Sequence, residues 1–486
     1  MSRPNILFFL VDDLGWRDLG CYGSSFYETP RLDRLAAEGL HFTNAYAASP
    51  VCSPARASLL TGRYPARVGV TNYIGREHPS RGRLIDAPYV DHLPLEEVSV
   101  AAALREGGYA TWHVGKWHLG ERPYFPDRQG FDVNVGGCDW GSPKQGYFAP
   151  WGIPTLEEGE PGEYLTDRLT DEAIALIHAH GHSRPFFLNL WFYAVHNPMQ
   201  PKPDLLAKYE AKARRMGLDR IDPFEIGEFF PCDHKKDKRI IRRRLQSDPR
   251  YAAMVETVDW NVGRLLDALA EEGLAEDTVV IFTSDNGGLA TAEGSPTCNA
   301  PLHEGKGWLY DGGTREPFLV LWPGVTTPGA SCDTPISSPD LYPTVLEMAG
   351  LPPRPAQHCD GVSLVPLLRG AEIAERPLFW HYPHYGNQGG TPGASVRWGK
   401  WKAIEFFEDG RVELYDLDAD IGEEHDLAAQ EPDLARRLVG MLHAWQEEVG
   451  ARHPERPGRR GSPGVAGGRP DRRGARLRPA GGCERA

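Results

Sequence analysis

Residues 49–62 read SPVCSPARASLLTG, and the rest of the chain is organised around them. Pro54 suits the first turn of a helix, where its missing N–H is not needed, and Gly62 is typical of a helix end. Cys52 therefore lies at the start of the predicted helix, where free backbone N–H groups and the helix dipole favour an anion. Arg56 follows one turn later and can point back towards Cys52. The stretch brings a nucleophile, a cation and a helix N-terminus together.

Length and charge limit the class of protein. The chain of 486 residues is long enough for one large core with a smaller domain, or for two or three domains. Its formal net charge of -14 argues against nucleic acid as the main partner. No apolar run approaches the roughly 18 residues of a membrane helix, so we expect no membrane partner. Residues 6–11 are too short for a signal peptide. As written, the chain is expected in the cytoplasm, whereas a truncated N-terminus would make it periplasmic or secreted.

Two apolar segments, 5–11 and 278–284, read as strands buried on both faces. The oxygen-bearing side chains that follow them directly are Asp12, Asp13, Asp285 and Asn286. Open α/β sheets bind ligands at the carboxyl ends of their strands. Adjacent carboxylates there repel each other and lose solvation, which a bound cation relieves, and hard oxygen donors favour Ca²⁺ or Mg²⁺ over Zn²⁺. The alternative for the aspartate pair is a solvated turn with an N-cap aspartate.

Basic side chains and histidines follow other predicted strands. Lys116 and His118 are two residues apart after a strand, and extended geometry predicts that both point into one pocket. The alternative is an exposed Lys116 and a His118 that only packs. His196 follows another apolar strand, and Lys306 lies in a glycine-containing segment that allows close approach of the backbone.

Two long segments separate these strands. Residues 136–152 are rich in glycine and aromatic residues and have no clear period, which indicates a surface loop of the kind that shapes a pocket. Residues 202–250 are strongly charged. Because the apolar Ile240, Ile241 and Leu245 lie among these charges, we expect an amphipathic, solvated helix over the core there. A nucleic-acid patch is the alternative.

These blocks resemble the type I sulfatases, which belong to the alkaline phosphatase superfamily. Cys52, Pro54 and Arg56 fit the C-x-P-x-R core of that family. The resemblance runs through several blocks, in the family's order, from near the N-terminus into the last quarter of the chain. The motifs at 136–141 and 229–232 are similar to those of arylsulfatase A and of the N-acetylgalactosamine sulfatases, and suggest a bacterial enzyme that acts on sulfated sugars.

The resemblance implies an α/β fold in which helices flank a large mixed, mostly parallel sheet of the alkaline phosphatase type. A small C-terminal domain with an antiparallel sheet and a helix follows, in agreement with the short strand-like segments near the end of the chain. We expect a catalytic domain at 1–375, the small domain at 376–451 and a disordered tail rich in Arg, Gly and Pro at 452–486.

The resemblance also implies the site. Cys52 is converted to formylglycine by a maturation enzyme, and the hydrated aldehyde is the nucleophile. The ligands of a Ca²⁺ or Mg²⁺ ion are Asp12, Asp13, Asp285, Asn286 and the modified residue 52. The residues that bind the sulfate or transfer protons are Arg56, Lys116, His118, His196 and Lys306. The residues expected to reach the rest of the substrate are His303, His384 and the neighbouring 385–387.

The expected function is therefore removal of sulfate from a sulfated carbohydrate of the galactose or N-acetylgalactosamine type. One alternative is a phosphomonoester or phosphodiester hydrolase of the same superfamily. Another is a protein that binds sulfated glycans without cleaving them and keeps Cys52 unmodified. Comparing the turnover of an aryl sulfate with that of an aryl phosphate distinguishes a sulfatase from the first alternative. Retention of a glycan without release of sulfate identifies the second.

Overall fold

The computed structural model describes residues 3–75, 80–181 and 183–457. The strands in these residues are β1 (Asn5–Val11), β2 (Leu40–Tyr46), β3 (Ala110–Gly115), β4 (Val133–Val135), β5 (Phe186–Trp191), β6 (Phe224–Phe229), β7 (Arg239–Arg243), β8 (Thr278–Ser284), β9 (Arg315–Leu321), β10 (Ala330–Cys332), β11 (Ile336–Ser337), β12 (Leu378–Tyr382), β13 (Gly393–Trp398), β14 (Trp401–Phe406) and β15 (Arg411–Asp416). The α-helices are α1 (Pro30–Glu38), α2 (Cys52–Thr61), α3 (Pro65–Val68), α4 (Val100–Glu106), α5 (Leu165–Ala179), α6 (Pro203–Met216), α7 (Pro249–Glu271), α8 (Asp311–Thr314), α9 (Leu341–Met348), α10 (Val365–Leu368) and α11 (Pro432–Val449). None of the described helices combines the length and the apolar composition that are needed to cross a bilayer.

Nine strands form one large sheet in the order β10-β2-β9-β8-β1-β5-β3-β4, and β11 also pairs with β2. Neighbouring strands are parallel except where β9 runs against β2 and β8. The central strands β1, β5 and β8 are buried along their whole length, as expected for apolar runs that are covered on both faces. The prediction of a mixed, mostly parallel sheet is confirmed.

Helices cover both faces of this sheet because β1 sends alternate side chains to opposite sides. Leu7 and Phe9 pack into one core together with residues of α1, α5, α6 and α7. Ile6 and Phe8 pack into a second core with residues of α2, α4, α9 and α10. The strand ends lie between these cores, so the loops that leave them can converge.

A separate four-stranded antiparallel sheet has the order β12-β13-β14-β15 and packs against α11. Leu438 of α11 and Val396 of β13 belong to the same apolar cluster. The predicted C-terminal sheet and helix are confirmed. Gly399 (φ +58) turns the chain between β13 and β14. The domain boundary near residue 375 stays a prediction.

The prediction of an amphipathic helix around Ile240 is wrong. Within the charged segment 202–250, α6 is helical, but β6 and β7 form an antiparallel hairpin. Ile240 is buried whereas Ile241 is 44% exposed, which is the two-residue alternation of a strand. Arg242 forms an ion pair with Glu304 of a neighbouring loop. Pairing between strands and with this loop overrides the helical spacing of the apolar residues.

The expectation of disorder from residue 452 is wrong for the first part of the tail. Residues 452–457 are described, and Glu455 exchanges two backbone hydrogen bonds with Ile85, with N···O distances of 2.8 and 3.0 Å. This pairing orders a segment whose composition alone indicates disorder. The rest of that prediction, 458–486, lies outside the described residues.

A buried ion cluster joins the small sheet to the rest of the chain. Lys402 of β14 places Nζ 2.7 Å from Asp311 Oδ1 and 2.8 Å from Glu423 Oε1, and all three side chains are fully buried. Burial raises the pKa of Glu423 to about 7, although the charge of Lys402 opposes the rise. The ammonium of Lys402 therefore lies between two buried carboxyl groups, one of which, Asp311, also pairs with Arg315 at 3.5 Å.

Replacing this lysine should destabilise the protein strongly. Among the described residues, Lys402→Met leaves Glu423 buried without its cation and leaves Asp311 with Arg315 alone, 3.5 Å away, and we expect the free energy of unfolding to fall by about 3–5 kcal/mol. Urea denaturation followed by tryptophan fluorescence measures the change. The control is Lys400→Met, since Lys400 pairs with Asp416 at the surface and is 44% exposed. Equal denaturation midpoints for Lys402→Met and the control would contradict the prediction.

Candidate active site

The four oxygen-bearing candidates meet because β1 and β8 are parallel neighbours. Val11 pairs with Ser284 at the ends of these strands, so the residues that follow emerge side by side. The backbone N–H of Asp13 donates to Asp285 Oδ1 at 3.2 Å, which ties the two strand ends together. Asp13 has φ +62, a left-handed conformation that Asp tolerates better than most residues. The buried side chains at this edge are Asp12, Asp13, Asp285 and Asn286.

Cys52 is the first residue of α2, as the sequence predicts. The preceding Val51 is extended, and the helix ends at Gly62, whose φ of +67 suits glycine. The thiol is buried, with 3% of the residue exposed. Its Sγ and one carboxylate oxygen from each of Asp12 and Asp285 lie within 4.8 Å of one another. The helix start therefore delivers the thiol to the carboxylates at the edge of the sheet.

Two buried oxygens at this point are suited to a cation. Within the described residues, Asp12 Oδ1 and Asn286 Oδ1 accept no hydrogen bond although both side chains are fully buried. Asp13 differs, since Oδ1 accepts from Asn286 Nδ2 and Oδ2 accepts from Lys306 Nζ, each at 2.8 Å. Buried polar atoms without a partner are rare in native proteins and call for an ion or another ligand. Carboxylate and amide oxygens are the donors that Ca²⁺ and Mg²⁺ prefer, so the residues fit such a cation.

Two fully buried cationic side chains, Arg56 and Lys116, contact the carboxylates directly. Arg56 donates from Nε to Asp285 Oδ2 at 2.8 Å and from Nη1 to the Lys116 carbonyl at 3.0 Å. Lys116 donates from Nζ to Asp12 Oδ2 at 2.6 Å. Both side chains were expected at the sulfuryl oxygens. In this structure they face the carboxylates and do not line the cavity above Cys52.

These cations influence the protonation of the carboxyl groups. Burial raises the pKa of Asp13, but the charges of Lys306, His196 and Lys116 together outweigh it and the pKa lies below its ordinary value. Burial likewise opposes the effect of Arg56 on Asp285, whose pKa is also lowered. For Asp12 burial dominates and the pKa is raised well above its ordinary value. A divalent cation beside Asp12 would favour its charged form.

His118 reaches the site in a way that the alternation of a strand does not explain. β3 ends at Gly115, and His118 has φ +58, so Lys116 and His118 are not in one extended segment. Nε2 lies 2.8 Å from the Ile74 carbonyl and Nδ1 lies 3.3 Å from Cys52 Sγ. Burial and the charge of Lys116 hold the pKa of His118 well below its usual range. Because a carbonyl only accepts, Nε2 carries the proton of the neutral ring, and the lone pair of Nδ1 faces residue 52.

The glycine-rich loop at 136–152 covers His118. A Cβ at Gly141 would come within 2.7 Å of His118 Cε1, so only glycine leaves room for the ring. Trp140 of the same loop lines the cavity above Cys52. The predicted pocket-shaping loop is therefore present at this position.

His196 and Lys306 lie on the open side of the site. His196 follows β5, lines the cavity, and has Nε2 3.6 Å from Asp13 Oδ2. Burial and the charge of Lys306 lower the pKa of His196 to about 3. Burial lowers the pKa of Lys306, but Asp13 and other acidic groups, among them Glu293, raise it above its ordinary value. The ammonium of Lys306 is therefore the protonated group that faces the cavity.

The cavity above Cys52 has a volume of about 510 Å³. Its floor contains Cys52, His118, His196 and Lys306, and the charged and amide side chains at its rim are Glu121, Asp139, Lys144, Glu293, Asn387 and Gln388. Sequence reasoning missed Glu121, Lys144, Glu293 and Gln388. They lie in loops without periodicity, and nothing in their spacing marks them.

Two predicted substrate contacts are not supported by the geometry. His303 packs on Tyr310, with ring centroids 4.4 Å apart, and does not line the cavity. His384 is fully buried, and Nε2 lies 2.9 Å from Thr71 Oγ1. The chain turns after His384 so that Asn387, three residues later, reaches the cavity instead.

Comparison with known proteins agrees with this geometry. The family model described as Sulfatase matches residues 4–351. The chain belongs to the sulfatase family. A second model, described as N-sulphoglucosamine sulphohydrolase, C-terminal, matches residues 303–448 of this sulfatase. The large sheet and the small C-terminal sheet with its helix form the alkaline phosphatase-like fold that the resemblance implies.

Individual relatives are enzymes that are named for sulfate esters. Human arylsulfatase A is 36% identical, and the match covers 87% of this chain and 83% of that protein. Human N-acetylgalactosamine-6-sulfatase is 35% identical over 78% of this chain and 68% of that protein. The crystal structure of Ps i-CgsB in complex with k-i-k-neocarrahexaose has a TM-score of 0.73 at 29% identity, covering 91% of this chain and 93% of that one.

Cation binding should be detectable as stabilisation. Adding Ca²⁺ or Mg²⁺ to chelator-treated protein should raise the melting temperature, since a ligand at 100 times its Kd stabilises by about 2.7 kcal/mol. Asp285→Asn should remove most of this shift because it removes a charge from the cation site. The control is Asp277→Asn, at an exposed position just before the other end of β8. A shift as large in Asp285→Asn as in the control would contradict the site.

Proposed function

We propose that this sulfatase removes sulfate from a carbohydrate ester, through residue 52 converted to formylglycine and a divalent cation held at Asp12, Asp13, Asp285 and Asn286. One observation carries the proposal: Cys52 begins a helix at the floor of an open cavity, 3.3 Å from His118 Nδ1 and beside the carboxylates. The relatives named for N-acetylgalactosamine 6-sulfate and crystallised with a neocarrahexaose support a sugar substrate.

The modified residue would supply two hydroxyls on one carbon, one to attack sulfur and one whose deprotonation expels sulfate, and the cation would favour the ionised hydroxyl. The side chains of the floor would do the rest. Lys306 binds a sulfuryl oxygen with its ammonium, as a phosphoryl clamp does. Arg56 and Lys116 hold Asp285 and Asp12 in place and balance their charge.

The two histidines take different roles in this proposal. His118 presents the lone pair of Nδ1 to residue 52, which suits a base that removes a proton from that side chain. His196 and Lys306 line the cavity, where the leaving oxygen of the substrate would lie. Lys306 is protonated, so it can donate a proton to that oxygen, either directly or through His196. The sequence alone does not distinguish the two histidines.

A maturation enzyme is part of the proposal. Since only 3% of Cys52 is exposed, an enzyme that oxidises the thiol cannot reach it in the folded chain. The conversion therefore has to precede folding, and the partner recognises the segment around Cys52, Pro54 and Arg56 as an extended chain.

The decisive measurement combines a mass with an activity. Conversion of the Cys52 thiol to an aldehyde lowers the mass of its tryptic peptide by about 18 Da, as expected for this activated nucleophile. Protein with the converted residue should release sulfate from 4-nitrophenyl sulfate, and Cys52→Ala should not. Activity with an unconverted cysteine would overturn the mechanism. Faster turnover of 4-nitrophenyl phosphate would favour a phosphoester hydrolase, and glycan retention without release would favour a binding protein.

The roles of the histidines predict different kinetics. For aryl sulfates whose phenols differ in pKa, His196→Ala should steepen the decline of kcat/KM with rising phenol pKa, because poor leaving groups need the proton most. His118→Ala should lower kcat by about 10²–10⁴-fold for every phenol alike. Residue 52 must be shown by mass to be converted in both variants. The same slope change in both variants would contradict the assignment.

A further inference from the structure

The rim of the cavity is acidic although the reacting group is an anion. Carboxylates of Glu121, Asp139 and Glu293 line it, against one rim ammonium, that of Lys144. In the described part of the chain, neither Glu121 nor Asp139 makes a side-chain hydrogen bond or ion pair. The cation at the floor, Lys306, is already paired with Asp13. Among the described residues, the rim therefore carries more negative than positive charge towards the substrate.

Glu293 is the most firmly held of these carboxylates. Its Oε1 accepts a hydrogen bond from Gln388 Nε2 at 3.2 Å, and its carbonyl accepts from Asn197 Nδ2 at 3.1 Å. Its φ of +53 is left-handed, which a glutamate rarely adopts. Asn197 directly follows His196, so Glu293 is tied to the side of the cavity where the leaving oxygen would lie. A hydroxyl or amine of the sugar beside that oxygen would find an acceptor there.

Trp140 supplies an apolar wall to the same cavity. Its ring is partly buried against the core, and the Nζ of Lys144 lies 4.4 Å from the ring centroid. This cation–π contact occupies Lys144 and holds it on the indole.

A second anion on the substrate would meet this acidic rim. Two unit charges about 8 Å apart change affinity by roughly three- to thirty-fold, depending on the local dielectric constant. A repulsive element of this kind sets specificity by excluding competitors more than by binding the correct substrate. The first sulfate would escape the penalty because the proposed divalent cation at the floor attracts it, and because Lys306 faces the cavity although it is also paired with Asp13.

Resting on the proposed function, we infer that the cavity selects a sugar unit that carries a single sulfate. Glu293 accepts a hydrogen bond from a hydroxyl or amine next to the sulfate ester. Together with Glu121 and Asp139, it excludes units with a second sulfate or a carboxylate.

The test measures competition, so it does not require the natural substrate. The assay follows hydrolysis of 4-nitrocatechol sulfate by protein in which residue 52 is converted. The competitors are N-acetylgalactosamine 6-sulfate, galactose 6-sulfate and N-acetylgalactosamine 4,6-disulfate. We expect the disulfate to bind at least about tenfold more weakly than the monosulfates. Glu293→Gln, and separately the pair Glu121→Gln and Asp139→Asn, should reduce that ratio to about threefold or less. High salt should also reduce this affinity ratio in protein with the unmodified rim.

The matched control is Glu210→Gln, an exposed position on α6 that is remote from the cavity, and it should keep the full ratio. Equal inhibition by the monosulfates and the disulfate overturns the inference, as does a ratio that both rim variants leave unchanged. Failure of both monosulfates to compete also overturns it. In each of these cases hydrolysis of the aryl sulfate continues, whereas failure of the proposed function abolishes that hydrolysis in the first place.

Discussion

Buried negative charge is the constraint on which the rest of this structure depends. Parallel pairing of β1 with β8 places Asp12, Asp13 and Asp285 together at 0–1% exposure. Each buried carboxylate costs several kcal/mol unless a counter-charge lies beside it. The protein's own counter-charges are Arg56 of α2, Lys116 after β3 and Lys306 in the loop before α8. Ion pairing with the carboxylates therefore brings these three segments together.

Several residues in the segments that meet at the site have strained backbone conformations. Among the described residues, the non-glycine positions with positive φ include Asp13, His118, Glu293 and Glu304. Such residues cost of order 1 kcal/mol or more each and persist only where the surroundings hold them. Here the surroundings do so through specific contacts: Arg242 pairs with Glu304, Gly141 leaves room for the ring of His118, and Gln388 holds Glu293. Of these four residues, His118 and Glu293 line the cavity, Asp13 accepts a hydrogen bond from Lys306, and Glu304 lies two residues before Lys306.

Floor and rim of the cavity have different structural origins. The floor is built from the first turn of α2, the segments after β3 and β5, and the loop of Lys306, beside strand ends that the two apolar cores fix in position. The rim is built from loops, including 136–152 and the turn that carries Asn387 and Gln388. The small C-terminal sheet contributes to this arrangement, since Lys402 anchors Asp311 five residues after Lys306. Reaction chemistry therefore depends on the rigid sheet, whereas substrate choice depends on loops that can vary without disturbing it.

Much of this site could be predicted because its residues sit beside strong local signals. Apolar runs identify β1 and β8, and the polar pairs that follow them have to lie at the strand ends. The CSPAR pattern and Gly62 identify α2 and its start. These are properties of short segments, which sequence periodicity and helix-end chemistry determine directly.

What only the tertiary structure decided depends on contacts between distant segments. Local spacing predicts a helix around Ile240, but pairing with β6 makes it a strand. Local spacing also predicts that Lys116 and His118 share a strand face, but a left-handed residue turns His118 towards Cys52. The same spacing does not reveal that Arg56 faces Asp285, that His384 is buried, or that Glu293 reaches the rim. Sequence alone determined where most of the elements and the reactive residues lie along the chain, because those depend on neighbours a few residues away. Tertiary structure decided which way the side chains face, because that depends on burial and charge contributed by residues up to hundreds of positions apart.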